Sequence, residues 1–258
     1  MPLMITFDTN ALADVVSPET SQQPTNPADA ARVQAAVQTG SIRGFFSETL
    51  VTIEGIQTKD RPAVLSSSRL VSSSSSTENE NSITIKLAFQ QDRNPPEPRF
   101  SERIQTARSL GMRALMVPRE LGSGVCAKDD DGTFFEPIGD LGQFVARAVR
   151  LRSEIGARGI GYAAAIKLGL DDLSQPGLWY EGLRHASRNK VKEAVAEWAD
   201  GDSLVAHYGY GIELFCSRDC GKNAGKASVL HPDNRKWLSK EFGIQFVTLA
   251  DLAKRVMA

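Results

Sequence analysis

Short unbroken apolar runs alternate along this chain with stretches in which apolar residues recur every three or four positions. Leu3–Phe7 is the first run, too short for a helix and continuous enough for a buried strand. Ser17–Pro27 is rich in Pro, Ser and Gln and reads as a loop. From Asp29 to Gln38, Ala30, Val33 and Val37 recur at helical spacing, and Gly40 supplies the stop. Ile42–Phe46 predicts a second strand. Ser47 then suits the N-cap of a helix running through Glu54, with Leu50 and Ile53 along its faces. Further on, Ser101–Leu110 reads as a helix and Arg113–Val117 as a buried strand. Phe144, Ala148, Leu151 and Ile155 mark one face of an amphipathic helix over Leu141–Ile155. Tyr162–Leu168, Tyr180–Trp198 and Ser203–Tyr208 are helical in pattern, the last with Asp202 at its N-cap. The apolar run from Ile212 predicts a strand through Cys216. Phe242–Val247 predicts a late strand, and Leu249–Val256 a terminal helix capped by Thr248.

The alternation breaks between Arg61 and Pro98. Ala63–Leu65 and Ile83–Phe89 look like strands, the second alternating apolar and polar residues, with the serine tract Ser72–Ser76 between them. The expectation is a two-stranded β-hairpin with a mobile serine-rich tip and a proline-rich hinge over Asn94–Pro98.

Strands alternating with helices predict an α/β fold with a mainly parallel sheet covered on both faces, a three-layer α/β/α arrangement. The chain of 258 residues can bury a sizeable core, and its formal net charge of -1 announces neither a nucleic acid nor a membrane partner. No apolar run is long enough to span a bilayer, and the N-terminus lacks the pattern of a signal peptide. Three cysteines without a Cys-x-x-Cys pair argue against a disulfide framework and fit a reducing cytoplasm.

Candidate chemistry lies in four acids. Asp8 closes the first apolar run, and Glu54 ends the helix-like run from Ser47. Asp202 opens a late helix, with Asp200 as the reserve candidate, and Asp219 follows the strand ending at Cys216. In parallel sheets ligands sit at the carboxyl ends of strands, where Asp8 and Asp219 fall. Gathered carboxylates repel one another unless a hard cation lies between them. The bland readings are a turn or cap for Asp8, an exposed helix position for Glu54, an N-cap for Asp202 and a loop for Asp219. Asn10 either positions Asp8 or caps the next helix, and Glu48 competes with Glu54.

Phe7-Asp8-Thr9-Asn10, Ser47–Glu54 and Asp202–Asp219, in that order, resemble the PIN-domain ribonuclease family. The resemblance covers roughly residues 3–57 and 195–255. It implies a single PIN-like domain over 1–258 with an inserted segment at about 58–98. It further implies a metal-dependent endoribonuclease in which Asp8, Glu54, Asp202 and Asp219 hold Mg²⁺ or Mn²⁺ and hydrolyse RNA phosphodiester bonds. An antitoxin-like protein inhibitor and a homodimer belong to the same implication. The alternative is a catalytically inactive PIN-like RNA-binding or scaffold protein. Between Leu141 and Lys192, nine basic residues face four acids, which suits either an RNA-backbone track or solvated helix faces.

Other chemistries fit less well. Cys216, Cys220, His207 and His231 match no common zinc spacing. Asp129-Asp130-Asp131-Gly132 fails as a calcium loop, and Gly156–Gly161 has the wrong glycine order for a dinucleotide fingerprint. A haloacid-dehalogenase phosphatase would place a second Asp where Asn10 stands.

Overall fold

Five short strands pair in parallel at the centre of the chain's fold, in the order β5-β2-β1-β6-β7. They are β1 (Leu3–Phe7), β2 (Ile42–Ser47), β5 (Arg113–Leu115), β6 (Leu214–Cys216) and β7 (Gln245–Val247). The structure, a computed structural model, describes residues 2–21, 24–66, 69–76, 83–90, 98–118, 132–171, 179–218, 225 and 228–256. The register aligns Phe7 with Phe46 on one side and with Cys216 on the other, and Cys216 with Val247. The chain builds outward from β1 through β2 to β5, then crosses to the other side of β1 to lay down β6 and β7. The strand order therefore reverses at β1, the point where open α/β sheets bind ligands.

Helices cover both faces, giving the α/β/α layering expected from the alternation. On one face Ile5 and Phe7 meet α1 (Thr9–Val16), α2 (Pro27–Gln38), α4 (Pro98–Ser109) and α10 (Leu249–Arg255), through Leu12, Val33, Ile104 and Leu252. On the other, Phe215 meets α5 (Leu141–Ala157), α8 (Arg188–Gly209) and α9 (Pro232–Phe242), through Leu151, Leu204 and Leu238. A separate cluster joins α3 (Arg61–Ser66), α6 (Tyr162–Asp171), α7 (Trp179–Gly182) and the first half of α8. It also takes in Ile53 and Ile56, so the residues around Glu54 are anchored in a second core. Among the described residues no helix is long and apolar enough to cross a membrane.

Several boundaries differ from expectation. Ala63–Leu65 is not a strand but lies in α3, where Val64 and Leu65 pack into the second core. Three apolar residues do not fix a period, and Pro62 in the first turn suits a helix start. The serine tract is itself a strand: β3 (Arg69–Ser76) pairs antiparallel with β4 (Ile83–Gln90), Ser73 opposite Lys86. The intervening tip, 77–82, and most of the proline-rich stretch lie outside the described residues. The expected helix through Glu54 shrinks to one 3-10 turn, Glu48–Leu50, capped by Ser47 and followed by turns. Thr49, Val51, Thr52 and Ile53 are β-branched and hold a helix poorly.

The late helix does not begin at Asp202. α8 starts at Ser187, whose hydroxyl accepts from Lys190 N, and runs unbroken to Gly209. Gly201 sits inside it where its backbone meets Gly161 at the start of α6. The terminal helix carries the Thr248 cap, completed by Asp251 as a reciprocal capping box.

Candidate functional site

Asp8 leaves β1 at its carboxyl end with an extended backbone and caps α1, its Oδ1 accepting from Thr9 N at 2.8 Å. Its own N–H donates to the Cys216 carbonyl, which latches it to β6. Its Oδ2 accepts from Ser217 Oγ at 2.8 Å. Ser217 in turn donates its N–H to the Val247 carbonyl. Asp8 is thus fixed by β6 and β7 and is buried. The cap reading is met by one oxygen, and the other is taken by Ser217.

Glu54 reaches this position from the second core. Thr9 Oγ1 donates to Glu54 Oε2 at 2.8 Å, and Thr49 Oγ1 donates to the same oxygen at 3.3 Å. Thr9 therefore bridges the two acids, with its N–H on Asp8 and its hydroxyl on Glu54. Burial pushes the Glu54 carboxyl up to about 7, and the Asp8 charge adds to the rise, against the lowering from the Thr9 and Thr49 hydroxyls and from Arg61. Arg61 is spent on the local backbone, its Nε on the Ile56 carbonyl and Nη2 on the Glu54 carbonyl. Glu48, the competitor from the sequence, is buried and accepts from Val117 N at 2.8 Å, holding the chain beyond β5.

Asp202 is also buried, but its carboxylate is held from the side of α5. Arg152 Nη2 donates to its Oδ1 and Trp198 Nε1 to its Oδ2, both at 2.8 Å. The next residue, Ser203, turns the other way and meets Thr49 Oγ1 at 3.4 Å. Asp219 lies outside the described residues. The structure thus brings Asp8 and Glu54 together through Thr9 and ties Asp202 to Arg152 and Trp198 between α5 and α8.

Sequence reasoning missed Asp14 and the arginines around the pair. Asp14 is buried on α1, accepts from Thr25 Oγ1 at 2.7 Å and pairs with Arg218 Nη1 at 3.3 Å. Asn10, one turn earlier, accepts from Arg218 N at 2.8 Å, so it secures the chain after β6. The available signal was spacing: Asn10 and Asp14 stand four apart on one helix face. Arg103 on α4 lies within electrostatic reach of Glu54, Asp14, Arg99 and Arg218.

The zinc candidates separate into other tasks. Cys216 is buried in β6, its thiol pushed up by burial and by nearby acids. His207 meets Thr6 Oγ1 at 2.8 Å through Nδ1, and burial pulls its ring down to about 3. His231 caps α9, and Cys220 lies outside the described residues. Among the described residues no group of three or more His, Cys, Asp and Glu side chains gathers to hold a metal. Part of the basic middle stretch is engaged elsewhere: Arg152 on Asp202, and Arg158 over the Trp237 ring at 3.9 Å. No family model, curated protein or solved structure matches the chain.

Proposed function

We propose that the protein is a metal-dependent ribonuclease of PIN-like type whose centre is the Asp8–Glu54 pair. The observation that carries this reading is a pair of carboxylates, Asp8 buried and Glu54 half-buried, bridged by Thr9 at the carboxyl end of the central strand where the sheet order reverses. The donor set fits Mg²⁺ or Mn²⁺, since Mg²⁺ keeps several waters and takes only one or two carboxylates. Burial first, and the Asp8 charge second, disfavour an ionised Glu54, and a divalent cation beside the pair would relieve both. Such a cation supplies charge to the phosphate and acidity to the attacking water.

The chain's own groups do the rest. Ser217 and Thr9 hold Asp8 in one orientation, so its geometry is set before substrate arrives. Glu54, held by the Thr9 and Thr49 hydroxyls, would accept the proton from the attacking water as the phosphodiester is cleaved. Asp202 enters through the family resemblance and Asp219 through its place after β6 as well as the resemblance, and Asp202 is tied to Arg152 and Trp198.

That tie favours a second reading, an RNA-binding protein with no turnover. Wild-type protein and Asp8→Asn, each with mixed-sequence RNA and Mn²⁺ and with an EDTA control, separate the two. Cleavage by wild type, lost in EDTA and reduced ~100-fold or more in Asp8→Asn, is the expected result. RNA retention without cleavage by the wild type would select the second reading.

A further inference from the structure

Arg103 is a half-buried cation on α4 that makes no hydrogen bond or ion pair with any described residue. Its guanidinium lies 5.5 Å from the centre of the Phe100 ring, and Arg99, one turn earlier, lies 5.0 Å from the same ring. Phe100 itself is buried in the core beneath α1 and α4. The ring therefore fixes two cations side by side. Arg218 joins them from the end of β6, its backbone on Asn10 and its side chain on Asp14. Burial and the charges of Arg99 and Arg218 depress Arg103's proton affinity, while Glu54 and Asp14 raise it.

The nearby acids are already engaged. Asp14 takes Thr25 and Arg218, and Glu54 takes the hydroxyls of Thr9 and Thr49. Arg103 thus shares its surroundings with Arg99 and Arg218, while the acids within its reach, Glu54 and Asp14, are held by other groups. Crowding like charges around a guanidinium with no acid of its own is unfavourable unless an anion comes to it. Planar guanidiniums suit phosphate oxygens.

We propose that Arg103, flanked by Arg99 and Arg218, binds a backbone phosphate of single-stranded RNA beside the Asp8–Glu54 pair. The inference deepens the ribonuclease reading by naming how substrate is held, and it rests on that reading only for what happens after binding. A competing basic surface exists on α9, where Arg235, Lys236 and Lys240 line a groove with Phe246.

The test is binding without turnover. A fluorescein-labelled oligouridine of about twenty nucleotides is titrated in EDTA at several salt concentrations. For Arg103→Ala the expected loss of affinity is about tenfold, with the salt slope reduced by about 0.7 for one lost phosphate contact. Arg103→Lys should recover only part of the affinity, and Lys236→Ala should leave affinity unchanged. Unchanged affinity and slope for Arg103→Ala would overturn the proposal, as would a loss confined to Lys236→Ala. Thermal melting checks each fold. Should Arg103→Ala not fold, Arg99→Ala on the exposed side decides, with weaker binding expected and unchanged binding fatal. The two readings fail separately. Binding lost in Arg103→Ala with no cleavage by wild type in Mn²⁺ would sink the nuclease and keep the phosphate site. Cleavage with Arg103 irrelevant to binding would do the reverse.

Discussion

Glu54 keeps a proton near neutral pH because burial and the Asp8 charge both disfavour its ionised form. An acid whose pKa is higher in the fold than in the unfolded chain binds more protons when folded. Its contribution to stability is then fully present below about 4.5 and is lost as pH rises through about 7. The shift corresponds to on the order of 3 kcal/mol. Urea unfolding in EDTA at pH 5 and pH 8 should show the wild type losing stability with pH and Glu54→Gln losing much less. Parallel losses in the two proteins would show that Glu54 is not the titrating group. Asp8→Asn should move the midpoint of this dependence to lower pH, since one of its two causes is gone, while Asn keeps the cap on α1. Asp8 was legible in the sequence because a single acid directly after a buried run has only one place to go. Arg103 and Asp14 were not, because a charged residue in a helix points to solvent unless its neighbours in space say otherwise.

Between elements, the tie of α5 to α8 gives Asp202 a task of its own. The Arg152–Asp202 pair is largely buried, with side-chain exposures of 13% and 10%, and Trp198 closes the other carboxylate oxygen. Removing one partner of such a pair leaves an uncompensated buried charge. Asp202→Ala should therefore cost about 3 kcal/mol of stability. Calorimetric titration with Mn²⁺ should find cation affinity unchanged in the same variant. A tenfold or greater loss of affinity with intact stability would return Asp202 to the metal shell. The α8 misreading has a physical cause. Gly201 and the acids around it look like a helix break followed by a new cap, yet the glycine is there so that α6 can approach. Local propensity recorded the cost of that contact and not its purpose.

For the whole molecule, the layering and parallel sheet followed from alternation alone, while the internal boundaries of 61–98 did not. Serine runs carry no period, and their strand is specified by the partner β4 rather than by themselves. Because neither β3 nor β4 belongs to the five-stranded sheet, replacing residues 69–90 with a flexible Gly/Ser linker should leave cooperative unfolding intact. A broadened urea transition would show that the ladder supports the core. A cut that stops within 66–81 would strip β4 of its partner and is the poorer experiment. The latch between Asp8 and Ser217 spans nearly the whole chain, for Asp8 gains its oxygen's partner and its backbone acceptor only when β6 is in place. During synthesis, a ribosome-bound chain ending before Leu214 carries β1, β2 and the local Thr9 contact, but lacks the Ser217 hydroxyl and the Cys216 carbonyl that complete the hold on Asp8. If the pair cuts RNA, its full orientation waits for β6, which lies in about the last sixth of the sequence, so the strand order delays the completed centre until synthesis is nearly over.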